Sequence, residues 1–386
     1  MRGRTGLPGG SGSLVRCRND PARYPRSSRR RRRHPMTRAV VRPAEALRPQ
    51  THDEVDMSTS LAGLDLPSPI LTASGCAAAG KELDQFFDIT EIGAVVTKSI
   101  MPESRSGRAT PRMAETPSGM LNSIGLQGPG IASFIERDLA WLRQRGARAV
   151  VSIAGDTVDD YARLAKTLRM HEGISAIEVN ISCPNVEDRG KVFACDAGSS
   201  SAVIQAVRRN TDSRVPILAK LSPDVTDITT IALACVRAGA DGLSVINTLL
   251  GMVIDTDRLR PALAGVTGGL SGPAIRPVAV RCVWQIRQAL PDVPILGMGG
   301  VRTGLDALQF LLAGANAVSV GTMVFNDPSA PLRVHRELQT ALAERGFTRL
   351  VDVISYAHGY LDRDQQTSDP IDRSTDEDID AVAEEQ

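Results

Sequence analysis

Eight short runs of Val, Ile, Leu and Ala constrain this chain more than any other feature. They occupy residues 69–73, 94–98, 149–153, 176–180, 216–220, 242–246, 294–297 and 317–320. Runs this short and this apolar read as strands buried on both faces. Between them lie stretches with apolar residues at helical spacing, at 131–145, 157–171, 200–211, 227–238, 274–290 and 304–313. Thr157-Val-Asp-Asp160 has the spacing of a capping box, with Asp in place of Glu or Gln. Gly239 and Gly314 stand where a glycine ends a helix. Eight strand–helix units in roughly 270 residues match a (β/α)8 TIM barrel. A doubly wound sheet is the alternative, but it usually has fewer strands and a GxGxxG after the first one, which is missing here. The expectation is a single α/β domain, a (β/α)8 barrel over residues 57–361.

The flanks differ from that pattern. Residues 1–56 carry Gly-Ser-Gly, several Pro and the run Arg29–Arg33, with few apolar residues at any regular period. Such a segment buries too little surface to offset its ordering entropy. It reads as a transit peptide without an apolar face, as a non-specific nucleic-acid arm, or as translated upstream sequence with Met57 as the true start. The last reading is favoured, because regular pattern begins just after Met57. Residues 362–386 form an acidic, solvated tail to which no function is assigned.

Lys and Arg number 45 against 44 Asp and Glu, so the chain as a whole is not an obvious nucleic-acid binder. The six cysteines, at 17, 76, 183, 195, 235 and 282, include no CxxC pair. That argues against a disulfide framework or a metal site and for a reducing, cytoplasmic compartment. No run approaches the roughly 18 apolar residues of a membrane span.

In a barrel of this kind chemistry sits just after each strand. The strand at 176–180 runs into Asn180-Ile-Ser-Cys-Pro-Asn-Val186, where Pro184 cannot continue a strand interior. The loop therefore carries Asn180, Cys183 and Asn185. Taken alone, Cys183 reads as a small buried hydrophobe. Other strand ends carry Ser74-Gly75, Lys98-Ser99, Lys220, Asn247-Thr248, Gly299-Gly300 and Gly321-Thr322, and the loop after the second strand carries Asn122-Ser-Ile-Gly-Leu126. A lone lysine at a strand end commonly snorkels to the rim. Two lysines and several amides at equivalent ends suggest an anionic, amide-rich ligand. Glycine pairs after strands seven and eight leave backbone N–H groups open to an anion, and those loops often form a phosphate site.

These motifs, with Lys220-Leu-Ser-Pro223, Ile246-Asn-Thr248, Gly268-Gly-Leu-Ser-Gly-Pro-Ala274 and Gly297-Met-Gly-Gly-Val301, resemble dihydroorotate dehydrogenase. The resemblance runs in order from about Met57 to Tyr360. Cys in the catalytic loop is similar to the soluble class. The stretches from Asn122 to Gln127 and from Gly268 to Pro273 are similar to its NAD-linked, two-subunit branch. The quinone-reducing class has Ser as base and an apolar membrane helix pair, and is disfavoured.

The resemblance implies oxidation of (S)-dihydroorotate to orotate in pyrimidine synthesis. Cys183 is then the general base at ring carbon 5, and hydride passes from carbon 6 to FMN. Substrate-binding residues are Lys98, Asn122, Ser123, Ile124, Gly125, Leu126, Asn180, Asn185, Asn247 and Thr248. FMN is held by Ser74, Lys98, Ser99, Ser152, Asn180, Lys220, Ile246, Gly272, Gly299, Gly300, Gly321 and Thr322, with Lys220 stabilising the reduced flavin. A homodimer is implied, as is a partner subunit carrying FAD and a [2Fe–2S] cluster. Three departures stand out: the lid stretch 187–196 has less glycine than relatives, and Gly128 and Ser152 replace a common Asn. Cys195 has a Pro-free, Asp-flanked setting that argues against its being the base. The competing activities are a fumarate-linked dihydroorotate dehydrogenase and dihydropyrimidine reduction. The competing class is a non-catalytic or nucleic-acid-binding barrel.

Overall fold

The computed structural model describes residues 54–182, 184–185 and 191–359. The Arg-rich leader before residue 54 and the acidic tail lie outside the described residues. All eight expected strands form: β1 Ile70–Thr72, β2 Val95–Val96, β3 Ala149–Ile153, β4 Ala176–Asn180, β5 Ile217–Leu221, β6 Gly242–Val245, β7 Ile295–Met298 and β8 Ala317–Val320. They pair in parallel in the order β1-β8-β7-β6-β5-β4-β3-β2. A bridge between Leu71 and Ala94, with Gly93 N–H donating to Ile70 O at 2.7 Å, joins β1 to β2 and closes the barrel.

Helices pack outside. After β2 comes α1, built from Ile131–Ser133, a π-helical stretch Phe134–Leu139, and Ala140–Arg145. There follow α2 Val158–Leu168, α3 Ala197–Asn210, α4 Ile228–Ala238, α5 Arg276–Ala289, α6 Gly304–Leu312 and α7 Ala330–Glu344. The Thr157 side chain accepts from Asp160 N–H and the Asp160 carboxylate reaches back to the cap, so the predicted capping box forms. Gly239 ends α4 in the left-handed region. Two points differ from expectation. β1 is followed only by the 3₁₀ turn Leu83–Gln85, because Gly75 and Gly80, both at positive φ, break that connection. The helix α7 is additional to those predicted.

The amino-terminal end of the barrel is sealed by the hairpin Thr59–Leu61 and Leu64–Leu66. Its Leu61 and Leu66 form one buried cluster with inward-facing Leu71, Val150, Leu218, Leu296 and Ala317. Toward the carboxyl ends the inward positions become polar on five strands. Each polar residue lies between two apolar residues of the outer core: Ser152 between Val151 and Ile153, Glu178 between Ile177 and Val179, Lys220 between Ala219 and Leu221, Ser244 between Leu243 and Val245, and Ser319 between Val318 and Val320. This is the period-two alternation of a strand, hidden in runs that look uniformly apolar.

Above the carboxyl ends lies a second sheet that the sequence did not suggest. Its four antiparallel strands come from two excursions, Met113–Thr116 and Gly119–Asn122 after β2, and Leu249–Gly251 and Gly268–Ser271 after β6.

Candidate active site

The site is assembled from the carboxyl ends of the barrel strands and the sheet above them. Ser74, just past β1, lies with its hydroxyl 3.2 Å from that of Ser99. Ser99 in turn is 3.0 Å from Ser152 of β3, and Ser152 donates to Glu178 of β4 at 3.1 Å. Glu178 Oε1 is 3.6 Å from Lys220 Nζ on β5, and both side chains are buried. A second branch leaves Ser99, which accepts from Asn180 Nδ2 at 3.1 Å. Asn247 Nδ2, past β6, donates to Asn180 Oδ1 at 3.3 Å, and Asn247 Oδ1 accepts from Thr248 N–H at 2.9 Å. Asn180 is fixed from behind, because Tyr161 on α2 donates its hydroxyl to Asn180 O at 2.7 Å. Six strands thus feed one connected polar set, and it includes Ser74, Ser99, Ser152, Asn180, Lys220, Asn247 and Thr248.

Lys98 belongs to the same neighbourhood. A Cβ on Gly75 would lie 4.0 Å from Lys98 Nζ. Cys76, one residue on, feels the charges of both Lys220 and Lys98, but burial outweighs them and pushes its thiol up to about 11. Two ammonium groups therefore concentrate positive charge at the mouth, as an anionic ligand requires.

The upper sheet supplies the roof. Asn122 ends its second strand and donates to Gly269 O at 3.2 Å. A Cβ on Gly269 would run into Thr248 Oγ1, so Asn122 and Thr248 meet across this glycine. Beyond Asn122 the chain turns through Gly125 and Leu126, both at positive φ. Arg108 clamps that turn: its N–H donates to Ile124 O at 3.0 Å and its Nη1 to Ser123 Oγ at 3.2 Å.

The loops after β7 and β8 meet the last strand of that sheet. Gly299 and Gly300 have φ of 132° and 75°, and a Cβ on Gly300 would sit 2.6 Å from Gly272 O. Only glycine satisfies both the dihedral angle and the close approach. Thr322 Oγ1 donates to Ser271 Oγ at 2.8 Å, and a Cβ on Gly321 would touch Ala73 and Cys76. Ile246 is buried and its N–H donates to Met298 O at 3.2 Å, tying β6 to the end of β7. The amides of Gly300, Val301 and Thr322 have no acceptor among the described residues. On the barrel strands three buried side-chain polar atoms also lack partners among the described residues: Glu178 Oε2, Ser244 Oγ and Ser319 Oγ.

Cys183 lies outside the described residues. The backbone on either side is described: Ser182 N–H donates to Asn180 Oδ1 at 3.2 Å, and Pro184–Asn185 pairs antiparallel with Lys191–Val192. Cys195 stands apart from the polar set, with its Sγ directed at Asp224 O, and burial together with the Asp224 charge pushes its thiol up. Three residues were missed from the sequence: Glu178, Ser244 and Ser319. The signal that reveals them is a single polar residue between two aliphatic ones on a buried strand.

This arrangement can be set beside known proteins. A family model described as dihydroorotate dehydrogenase matches residues 56–342. A protein named dihydroorotate dehydrogenase B (NAD(+)), catalytic subunit, from Desulforudis audaxviator is 49% identical over 305 residues, covering 79% of this chain and 98% of that protein. Proteins of the same name from Geobacter sp. strain M21 and Geobacter sulfurreducens are 48% and 46% identical, each over 299 residues, 78% of this chain and 97% of theirs. The matched span begins at the edge of the described structure and takes in all eight strands and the polar mouth, so the chain belongs to the dihydroorotate dehydrogenase family.

Proposed function

We propose that this chain is the FMN-bearing catalytic subunit of an NAD-linked dihydroorotate dehydrogenase, oxidising (S)-dihydroorotate to orotate in pyrimidine biosynthesis. The observation that carries the reading is the connected polar set at the barrel mouth, which holds Lys220, Asn180 and Asn247, with Lys98 beside it and Asn122 in the roof above. A planar imide with a carboxylate needs such donors and acceptors together with positive charge.

The residues suit FMN. Amides at Gly300, Val301 and Thr322 fit a phosphate, and the buried atoms without partners among the described residues suit a polar ligand. Ser74, Lys98, Ser99, Ser152, Asn180, Lys220, Ile246, Gly272, Gly299, Gly300, Gly321 and Thr322 would hold it. When bound, FMN accepts hydride from ring carbon 6. Cys183 removes the proton from carbon 5 as its thiolate. Lys220 places a fixed cation where negative charge develops on the reduced cofactor. Lys98, Asn122, Asn180, Asn185, Asn247 and Thr248 orient the substrate, with the Ser123–Leu126 turn closing over it.

The printed names of the relatives support a partner subunit, which we assign the FAD and [2Fe–2S] centres that pass electrons to NAD. A homodimer is supported by exposed apolar side chains on the two excursions, Met113, Leu250, Met252, Ile254, Leu259 and Val266. Among the described residues no helix is long and apolar enough to cross a membrane, and Cys76, Cys195, Cys235 and Cys282 are free thiols. A cytoplasmic location agrees with the latter.

The test is anaerobic titration of the purified yellow chain with dihydroorotate, followed by NAD, fumarate or quinone with and without the partner subunit. Flavin bleaching by dihydroorotate and NAD reduction only with the partner are expected. Rapid reoxidation by fumarate in the chain alone would remove the NAD linkage. A colourless protein would remove the flavin assignment.

A further inference from the structure

Resting on the functional reading above, we propose that Glu178 is the positioning residue for Lys220, and that the pair sets how strongly the barrel stabilises the reduced flavin. Lys220 is almost wholly buried, and an ammonium group taken out of water without a partner is costly. Glu178, on the neighbouring strand, provides that partner at 3.6 Å. The carboxylate is itself anchored, because Ser152 donates to the same oxygen at 3.1 Å and Ser99 braces Ser152 at 3.0 Å. Four strands thus converge on one cation.

The geometry separates this role from plain stabilisation. A buried pair selected for stability alone has every lone pair satisfied, and replacement by packed aliphatic groups is often neutral or better. Here Glu178 Oε2 has no partner among the described residues. Glu178 sits one inward position below Asn180, which is itself the register partner of Lys220. The carboxylate therefore lies deep to the ammonium and holds it from the closed side of the barrel. It also partly offsets the lysine's field. Removing the carboxylate charge while keeping its shape leaves the lysine field undiminished, so the reduced, negatively charged cofactor becomes more stable.

The experiment measures the midpoint potential of bound FMN in the wild-type chain and in Glu178→Gln. The amide keeps the contact with Ser152 but not the charge. The expected result is a reduction equilibrium shifted at least tenfold toward reduced flavin, about 30 mV for a two-electron couple. In a Lys220→Met background the same substitution should move the potential by less than a third of that. Glu178→Asp keeps the charge on a shorter side chain. It should leave the potential near wild type while slowing flavin reduction by dihydroorotate about fivefold or more, with KM little changed.

An FMN-loaded Glu178→Gln chain with wild-type potential overturns the proposal, as does an equal shift in the Lys220→Met background. If Glu178→Gln does not hold flavin, Glu178→Asp decides, and a wild-type reduction rate there overturns the proposal. A wild-type chain that carries no flavin, or whose flavin dihydroorotate does not bleach, is a different failure. It removes the functional reading and the proposal with it.

Discussion

The two ends of the barrel are made from the same eight strands and the same inward register, yet their chemistry is opposite. Near the amino-terminal end, Leu71, Val150, Leu218, Leu296 and Ala317 pack against the hairpin leucines Leu61 and Leu66. Near the carboxyl end, the next inward positions are Ser152, Glu178, Lys220, Ser244 and Ser319, and three of these residues keep a buried polar atom with no partner among the described residues. One layer satisfies itself and the other does not. Unsatisfied buried polar atoms each cost about 1–3 kcal/mol unless something fills the space. The lower layer therefore stabilises the fold, and the upper layer spends part of that stability on a ligand.

If the division is real, substitutions above should remove activity and spare stability, and substitutions below should do the reverse. The largest effect belongs above. Cys183→Ala is expected to keep FMN and the wild-type melting temperature but to lower kcat by at least about a thousandfold, roughly 4 kcal/mol of barrel-mouth chemistry. Stopped-flow reduction of the bound flavin by dihydroorotate measures it, and ordinary turnover in this variant would refute the assigned base. The counterpart below is Leu218→Ala, which leaves a cavity against the hairpin leucines Leu61 and Leu66. It should cost about 2–5 kcal/mol by denaturant unfolding, while kcat per folded molecule changes less than about twofold. A collapse of kcat in correctly folded Leu218→Ala protein would show that the two layers are not separable.

The pH profile sharpens the upper half of the comparison, because the thiol of Cys76 is described there beside Lys98 and Lys220 and differs in its titration from an ordinary thiol. Burial favours a neutral thiol, so Cys76 forms thiolate only near its raised value of about 11. An ordinary thiol ionises near 8.5. With Cys183 as base, kcat/KM should rise about tenfold per pH unit at low pH and level off by about pH 9. A profile still climbing beyond pH 10 would point to Cys76 instead.

The same division explains what the sequence made legible. All eight strands were visible as aliphatic runs, because a strand buried on both faces has no polar side to hide it. The barrel followed from their number and spacing. Lys220 and Lys98 were visible because a charge at the end of an apolar run is conspicuous. Glu178 was not, since it lies in mid-run, and Ser244 and Ser319 were hidden by their small size. The antiparallel roof was invisible for another reason. Its two halves pair across more than a hundred residues, as Asn122 does with Gly269, and no local period encodes such a partner. The first unit lacked its helix because Gly75 and Gly80 adopt positive φ, which composition alone does not disclose. The helix α7 was legible in principle, since Val334, Leu338 and Leu342 are buried at i, i+4 and i+8.

The smallest predicted effect tests where the upper layer ends. Thr157 caps α2 through a reciprocal pair with Asp160, and Thr157→Ala should cost about 1 kcal/mol of stability. This helix lies outside the barrel, so by position alone it should not affect catalysis. Yet Tyr161, one turn further on, donates to Asn180 O at 2.7 Å, and Asn180 bridges Ser99 and Asn247 in the polar set. If a frayed first turn lets Tyr161 shift, the Asn180 amide proposed to orient the substrate moves with it, and KM for dihydroorotate rises. If Tyr161 is held by its own burial, against the edge of Phe193, the stability loss comes alone. The second outcome is expected, because Tyr161 is fully buried and its packing area outweighs one lost cap. Steady-state KM measured beside the unfolding midpoint separates the two, and a KM raised more than about threefold would place α2 within the functional layer.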